Sequence, residues 1–535
     1  MGWAKVNGEE ASPVSAKEVR PPAETVPPVL QGMKGVSQWV QTTSGEVWAV
    51  AGGTLLHAAN GSVPRTISNL PHETATCVAL QGSVVWVGTE AGAAALKDGA
   101  WRWYSGRRWL PDGPVVGIAA KDRDTVIVAT STGAAALEFS DLLLRTKEEH
   151  YDRIQRTRHL RDGFAAAAFL KTPGDLKTAV PLVSERDSLR TACMVAAQSL
   201  RHAFTMDTAT RSIAQKGMDA LLQLFEVTGT RTFPARAMVR EGETAAPLEL
   251  GSEQWSRRSP SNPKIRWMNG TGIEEIAAHY LAWSVYSRHC MDGRDRGRIL
   301  PACRRLTDHI LDNGGVLIGE DGKPTPNGRW LDERGEPLSP LHALLILSHV
   351  KAAAELTGDA KYREAYRSLA VRRGFAAQAA ALRVDFKGSE GNRTAMLAWA
   401  AWYPLLSTER DPALRSQYLQ ALDQFYSAYQ HLGIPLWNFT YGALTGKPCS
   451  AELAVPRLME TPMDLVTWTV RNSTRRDLDV RGGRLSAPIS TREMPLGPVY
   501  SDPLLADGGD GGLTEEDPTF WQLPYWLGKY HGIIQ

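Results

Sequence analysis

The chain has 535 residues, 43% of them apolar and 22% charged, with 60 Lys and Arg against 58 Asp and Glu. That balance reads as a globular composition, neither disordered nor membrane-embedded. A net charge of +2 excludes a global field that would gather nucleic acid or anionic lipid. Five cysteines lie at 77, 193, 290, 303 and 449. Without CxxC spacing they predict neither a disulfide framework nor a zinc ribbon.

Residues 1–35 read as a disordered or extended Pro-rich tail, with Pro21, Pro22, Pro27 and Pro28 set among Glu, Lys and small residues. Such a stretch buries too little to offset its ordering entropy. It has no apolar signal core, and no later stretch is apolar for long enough to span a bilayer, so a cytoplasmic location is expected. Met1-Gly2 is followed by Val6 where a myristoylation site wants Ser or Thr.

Residues 36–140 hold an internal repeat. Val85-Trp86-Val87-Gly88-Thr89 leads to Gly92-Ala93-Ala94-Ala95-Leu96, and Val126-Ile127-Val128-Ala129-Thr130 leads to Gly133-Ala134-Ala135-Ala136-Leu137. A weaker copy starts at Val47-Trp48-Ala49-Val50. A period of about 40 residues with strand, glycine turn and strand in each copy predicts propeller blades. About three copies are too few to close a ring, so this domain is expected to dock on the rest of the chain or on a protein partner.

From residue 141 onward the period becomes helical. Expected hairpins pair 189–204 with 212–227, 273–288 with 300–312, 341–356 with 361–384 and 395–406 with 413–431, with further helices near 141–158 and 462–472. Gly358 and Asp411-Pro412 are typical stop and start signals. Serial αα-hairpins with long intervening loops (229–270, 314–340, 432–461, 473–535) predict an α/α-toroid over 141–535. The fold class is thus mixed and mainly α, a partial β-propeller followed by an α/α-toroid.

Several stretches carry a family resemblance: Trp103-Tyr104-Ser105-Gly106-Arg107-Arg108-Trp109-Leu110-Pro111, Phe233-Pro234-Ala235-Arg236, Thr307-Asp308-His309-Ile310-Leu311-Asp312-Asn313-Gly314, Pro435-Leu436-Trp437-Asn438-Phe439 and Val470-Arg471-Asn472-Ser473. Through them the chain resembles a bacterial-type family of two-component-regulator-propeller-repeat proteins fused to an α/α-toroid, six-hairpin glycosidase-like region. The resemblance implies an architecture. By analogy with other toroids it implies a carbohydrate reaction of glycoside hydrolase, polysaccharide lyase or epimerase type. The chain departs from the family pattern around Glu185–Leu189, Gly270–Glu275 and Gly391–Thr394.

Such chemistry needs paired carboxyls, or a base near a neutralised sugar carboxylate. Glu274, Glu275 and His279 are the candidate acid/base residues, because Glu275 and His279 are four apart on one helix. Trp267, Arg236, Asn438, Tyr441, Arg471 and Asn472 are the substrate-binding candidates, through ring stacking and acid clamping. The Asp507–Asp517 stretch is rich in Gly and acid but fits no EF-hand or RTX spacing, so neither metal nor cofactor is expected. Two readings stand: a carbohydrate-active toroid, or a catalytically inactive binding or structural module in a larger assembly, to which the incomplete propeller and the tail would attach.

Overall fold

In the first repeat domain, alternating small and bulky β-formers make each copy a hairpin with two usable faces. The computed structural model describes residues 2–6, 26–59, 61–245, 255, 257–385, 388–498 and 501–535. The chain forms two compact units, one of residues 1–147, 459–496 and 504–513, the other of 148–458, 497–503 and 514–535.

The first unit contains three four-stranded antiparallel sheets. One joins β2 (Val36–Gln41), β3 (Val47–Ala51), β4 (Thr54–Ala58) and β5 (Arg65–Thr66) in chain order. The next joins β6 (Ala75–Gln81), β7 (Val84–Thr89), β8 (Ala93–Lys97) and β9 (Ala100–Tyr104). The third joins β10 (Val115–Ala120), β11 (Thr125–Thr130) and β12 (Ala134–Asp141), with β1 (Gly2–Val6) beyond β12. So residues 2–6, expected in the tail, add an edge strand, and most of the remaining tail lies outside the described residues.

The repeat is visible in the register. Val85 faces Leu96 and Val87 faces Ala94, as Val126 faces Leu137 and Val128 faces Ala135. Thr89 and Thr130 close the same turn, their amides bonding the Gly92 and Gly133 carbonyls at 2.8 and 2.7 Å. Ala93, Ala94 and Ala95 are at most 3% exposed, so their small side chains let neighbouring sheets approach. Trp86 fills the layer between the second and third sheets, within 5.2 Å of the Tyr104 ring and 6.0 Å of Phe139.

The docking expected of an open fan occurs within the chain. Residues 459–496 and 504–513, which the sequence assigns to the helical domain, belong to the sheet unit. The Arg108 guanidinium donates to the carbonyls of Asp464 and Val466, and Glu493 accepts from the Trp103 amide at 3.1 Å. The helix expected at 462–472 is instead extended chain, with Val470–Arg471 paired to Asp507–Gly508. Leu465, Val466 and Thr467 are buried in succession, and the Val466 carbonyl takes the Arg108 guanidinium rather than a helical amide.

The second unit is built of helical hairpins. Its helices are α1 (Leu144–Arg158), α2 (Asp187–Thr205), α3 (Thr208–Glu226), α4 (Ile273–His289), α5 (Gly293–Asp312) and α6 (Pro340–Thr357). They continue as α7 (Ala360–Arg367), α8 (Phe375–Ala380), α9 (Gly388–Thr408), α10 (Pro412–Tyr429), α11 (Pro435–Thr445), α12 (Ala451–Glu460) and α13 (Thr519–Tyr530). Asp207, Asp292 and Asp411 cap α3, α5 and α10 by accepting from their first-turn amides. Gly358 stops α6 at φ 72°.

Alternate helices close on one another. The helix α2 packs on α4, α4 on α6 and α9, α6 on α9, α9 on α11, α11 on α13, and α13 returns to α2. The helix α6 is apolar on nearly every side, and α4, α5, α7, α8 and α9 cover it. Two departures from the expected elements have local causes. The single helix expected at 361–384 breaks at Gly374, whose φ is 70°, into α7 and α8. The expected loop 432–461 contains α11 and α12, where Pro435 starts one helix and Pro456 interrupts the periodicity of the other.

Candidate functional site at the helix N-terminal ends

Inner helices that follow one another through antiparallel hairpins all run the same way, so their N-terminal ends gather at one end of the second unit. Glu185 and Arg186 precede α2, Glu274 and Glu275 open α4, His342 opens α6, and Glu390 and Arg393 open α9. Carboxylates in a first turn also meet the positive end of the helix dipole.

The side chains form one network. Arg236 donates from Nη2 to Glu185 Oε2 at 3.0 Å and from Nε to Glu275 Oε1 at 3.2 Å. The other Glu275 oxygen accepts from the Gly272 amide at 2.8 Å, so the same carboxylate caps α4. Glu274 lies between Arg393, at 3.0 Å, and Arg186, at 3.9 Å. Arg393 also reaches Glu390 at 3.5 Å. Glu275 is 4% exposed, and burial pushes its carboxyl above the ordinary value against the opposing pull of Arg236. The His342 imidazole meets Ser339 Oγ at 2.7 Å, and burial, with the charge of Arg393, holds it below the usual histidine range.

Of the acid/base candidates, the structure brings Glu274 and Glu275 into this network and leaves His279 out. His279 is completely buried, its Nδ1 2.7 Å from the Glu275 carbonyl and its Nε2 3.2 Å from the Leu221 carbonyl of α3. A neutral imidazole donates through one nitrogen only, so one carbonyl contact is a hydrogen bond and the other is packing. Burial lowers its pKa to about 4. The i,i+4 spacing put Glu275 and His279 on one face, but the histidine side chain packs on α3, against Phe225 at 5.0 Å between rings. It is a core residue.

The binding candidates separate similarly. Arg236 is in the network. Trp267 is 2% exposed in a short strand paired with Met238–Arg240, too enclosed to stack a sugar. Asn438 is fully buried, donating to the carbonyls of Gln430 and Ser450 at 3.3 Å each. Tyr441 stacks on Tyr426 with ring centres 3.7 Å apart and donates to Asp423 at 2.8 Å, fastening α11 to α10. Arg471 and Asn472 belong to the first unit. Residue type grouped these five with the substrate, and their packing partners leave none of them in the network.

Sequence reasoning singled out Glu185, Arg186 and Arg393 only as departures from a family pattern. The signal that assigns them is position, since each stands at the start of an alternate helix in the hairpin series. A second charged layer underlies the network. Asp187 meets Arg161 at 2.8 Å, and Arg190 binds Glu516 at 2.9 Å and also Asp517, joining α2 to the residues before α13. Two carboxylates of the Asp/Gly-rich stretch are spent locally: Asp507 on Ser473, Asp510 on Thr467 and the Gly512 and Leu513 amides. Among the described residues no group of three or more His, Cys, Asp or Glu could hold a metal, and no helix is long and apolar enough to cross a membrane.

No protein-family model matches the chain and no curated protein matches it, so the propeller-repeat resemblance gains no support there. Among solved structures it is similar to a metagenome-derived glycoside hydrolase family 9 endoglucanase, at 13% identity and TM-score 0.42, over 93% of this chain and 98% of that one. It is similar to a cellobiose 2-epimerase from Bacillus thermoamylovorans at 10% identity and TM-score 0.40, over 73% and 98%. A family 76 glycoside hydrolase from a bovine Bacteroides thetaiotaomicron strain follows at 7% identity and TM-score 0.38, over 94% and 99%. At these scores no residue-to-residue correspondence follows.

Proposed function

We propose that the second unit is an α/α-toroid that acts on a poly- or oligosaccharide, with hydrolase, lyase or epimerase chemistry at the N-terminal ends of α2, α4, α6 and α9. One observation supports the reading. Glu274 and Glu275 stand side by side in unlike surroundings, one between two guanidinium groups and the other buried with a raised pKa. Paired carboxyls pushed apart by their environments divide acid and base roles. Glu275, keeping its proton to higher pH, is the candidate general acid, Glu274 the candidate carboxylate, and Arg236 the group that positions Glu275.

A second reading is favoured by the extent of the ion pairing. Both carboxylates are already held by arginines, Glu275 also caps its helix, and His279 is committed to the core. That arrangement suits a catalytically silent module that binds carbohydrate or braces an assembly.

Incubation with β-glucan, mannan and polyuronate panels, read by reducing-end release, 235 nm absorbance and epimer analysis, separates the two. Turnover that falls by about 100-fold or more in Glu275→Gln, with the circular dichroism spectrum retained, supports the first reading. Arg236→Lys, which keeps the charge but loses the forked geometry, is expected to lower turnover less. Absence of turnover on every panel leaves the silent module.

A further inference from the structure

The first unit contains a cleft that the proposed chemistry of the second unit does not use. Trp103, Ser105, Arg108, Trp109, Trp468, Thr469, Arg471, Arg492 and Glu493 line it. Its floor is fixed. Trp103 and Trp109 are 7% and 6% exposed, and Glu493 is held by Arg475 at 2.5 Å and by the Trp103 amide. Arg108 is anchored by carbonyls on the 464–466 segment.

Its rim is open. Trp468 is half-buried, its indole N–H tied to Asp464 Oδ2 at 2.8 Å. The ring lies over Gly512, where a Cβ would sit 2.6 Å from a ring carbon and φ is +90°, so that position takes no side chain. Arg471 is exposed and has no hydrogen-bond or ion-pair partner for its guanidinium among the described residues. Thr469 beside it is also exposed.

We propose that this cleft binds a carboxylated pyranose, a hexuronate residue of an acidic oligosaccharide. A rigid indole presents a flat apolar face suited to a sugar ring. Thr469 supplies a hydroxyl donor for a sugar oxygen, Ser105, whose own O–H goes to the Ala91 carbonyl at 2.7 Å, accepts from a sugar hydroxyl, and the Arg471 fork matches a carboxylate in a bidentate way. Arg492 adds positive charge behind it, while Arg108 is already balanced by the Asp464 carboxylate at 3.3 Å. Glu493, already paired with Arg475, opposes Arg492 little.

Full-length protein titrated with trigalacturonate, followed by tryptophan fluorescence and calorimetry, tests the assignment. Binding in the ~0.1–1 mM range is expected, with cellotriose about tenfold weaker or worse and citrate giving no tryptophan signal. Arg471→Ala and Trp468→Ala are each expected to weaken trigalacturonate about tenfold without shifting the melting temperature, and Arg471→Lys to weaken it less. Equal affinity for trigalacturonate and cellotriose, unchanged binding in Arg471→Ala, or no binding up to ~10 mM would each overturn the proposal.

Discussion

Two buried glutamates show how surroundings decide what a carboxylate does to stability. Burial alone would raise Glu515, but hydrogen bonds and charge from His159 and Arg158, the latter at 2.6 Å, bring its pKa down to about 2 from 4.5. A depressed folded-state value means stability present above pH 4.5 and lost as pH falls towards 2. At ~1.4 kcal/mol per pH unit this is worth roughly 3 kcal/mol. In Glu148 burial wins over Arg201 at 3.0 Å, and the pKa rises to about 7. A raised value has the opposite sign, so this stability is full below pH 4.5 and disappears as pH climbs to 7. Urea titrations should therefore show the gap between wild type and Glu515→Gln closing by roughly 3 kcal/mol on acidification through the lower window. Between wild type and Glu148→Gln, the shift across the upper window should be of similar size and favour the variant.

At the scale of elements, helix boundaries with chemical signals were legible and those without were not. Asp411-Pro412 reads as a start, and there the Asp411 carboxylate accepts from the Ala413 and Leu414 amides at 2.9 and 3.2 Å. Asp411→Ala should cost about 1 kcal/mol in denaturant unfolding, and Asp411→Asn much less. Gly358 likewise announces its stop. By contrast α11 is a short apolar helix whose Trp437, Phe439 and Tyr441 are all buried, leaving no polar face to set a helical period. The same limit explains His279. Spacing places it on the Glu275 side of α4, but neighbouring elements choose which face of a helix meets the core.

Across the whole molecule, chain order and spatial order part company near the C-terminus. Segments 459–496 and 504–513 complete the sheet unit, and α13 closes the helical one. Trp521, Tyr525 and Trp526 of α13 are each at most 5% exposed. At about 150–250 Å² per ring, their burial is worth on the order of 10 kcal/mol. Ending the chain after Leu513 should abolish the cooperative helical transition seen by circular dichroism and leave a tryptophan-reported transition of the sheet unit. Ending it after Leu458 should abolish both.

Local pattern by itself determined the three sheet repeats, the hairpin series and the cap residues, because strand alternation, helical period and capping are properties of near neighbours. It also marked the residue types able to handle sugars. Only the tertiary structure decided that Glu274 and Glu275 share ion pairs with Arg186, Arg236 and Arg393, that His279 packs inward, and that Arg471 lines a tryptophan cleft in the other unit. Those groupings join residues up to hundreds of positions apart, and what fixes them is how buried faces fit and where charges find partners, which no window of sequence contains.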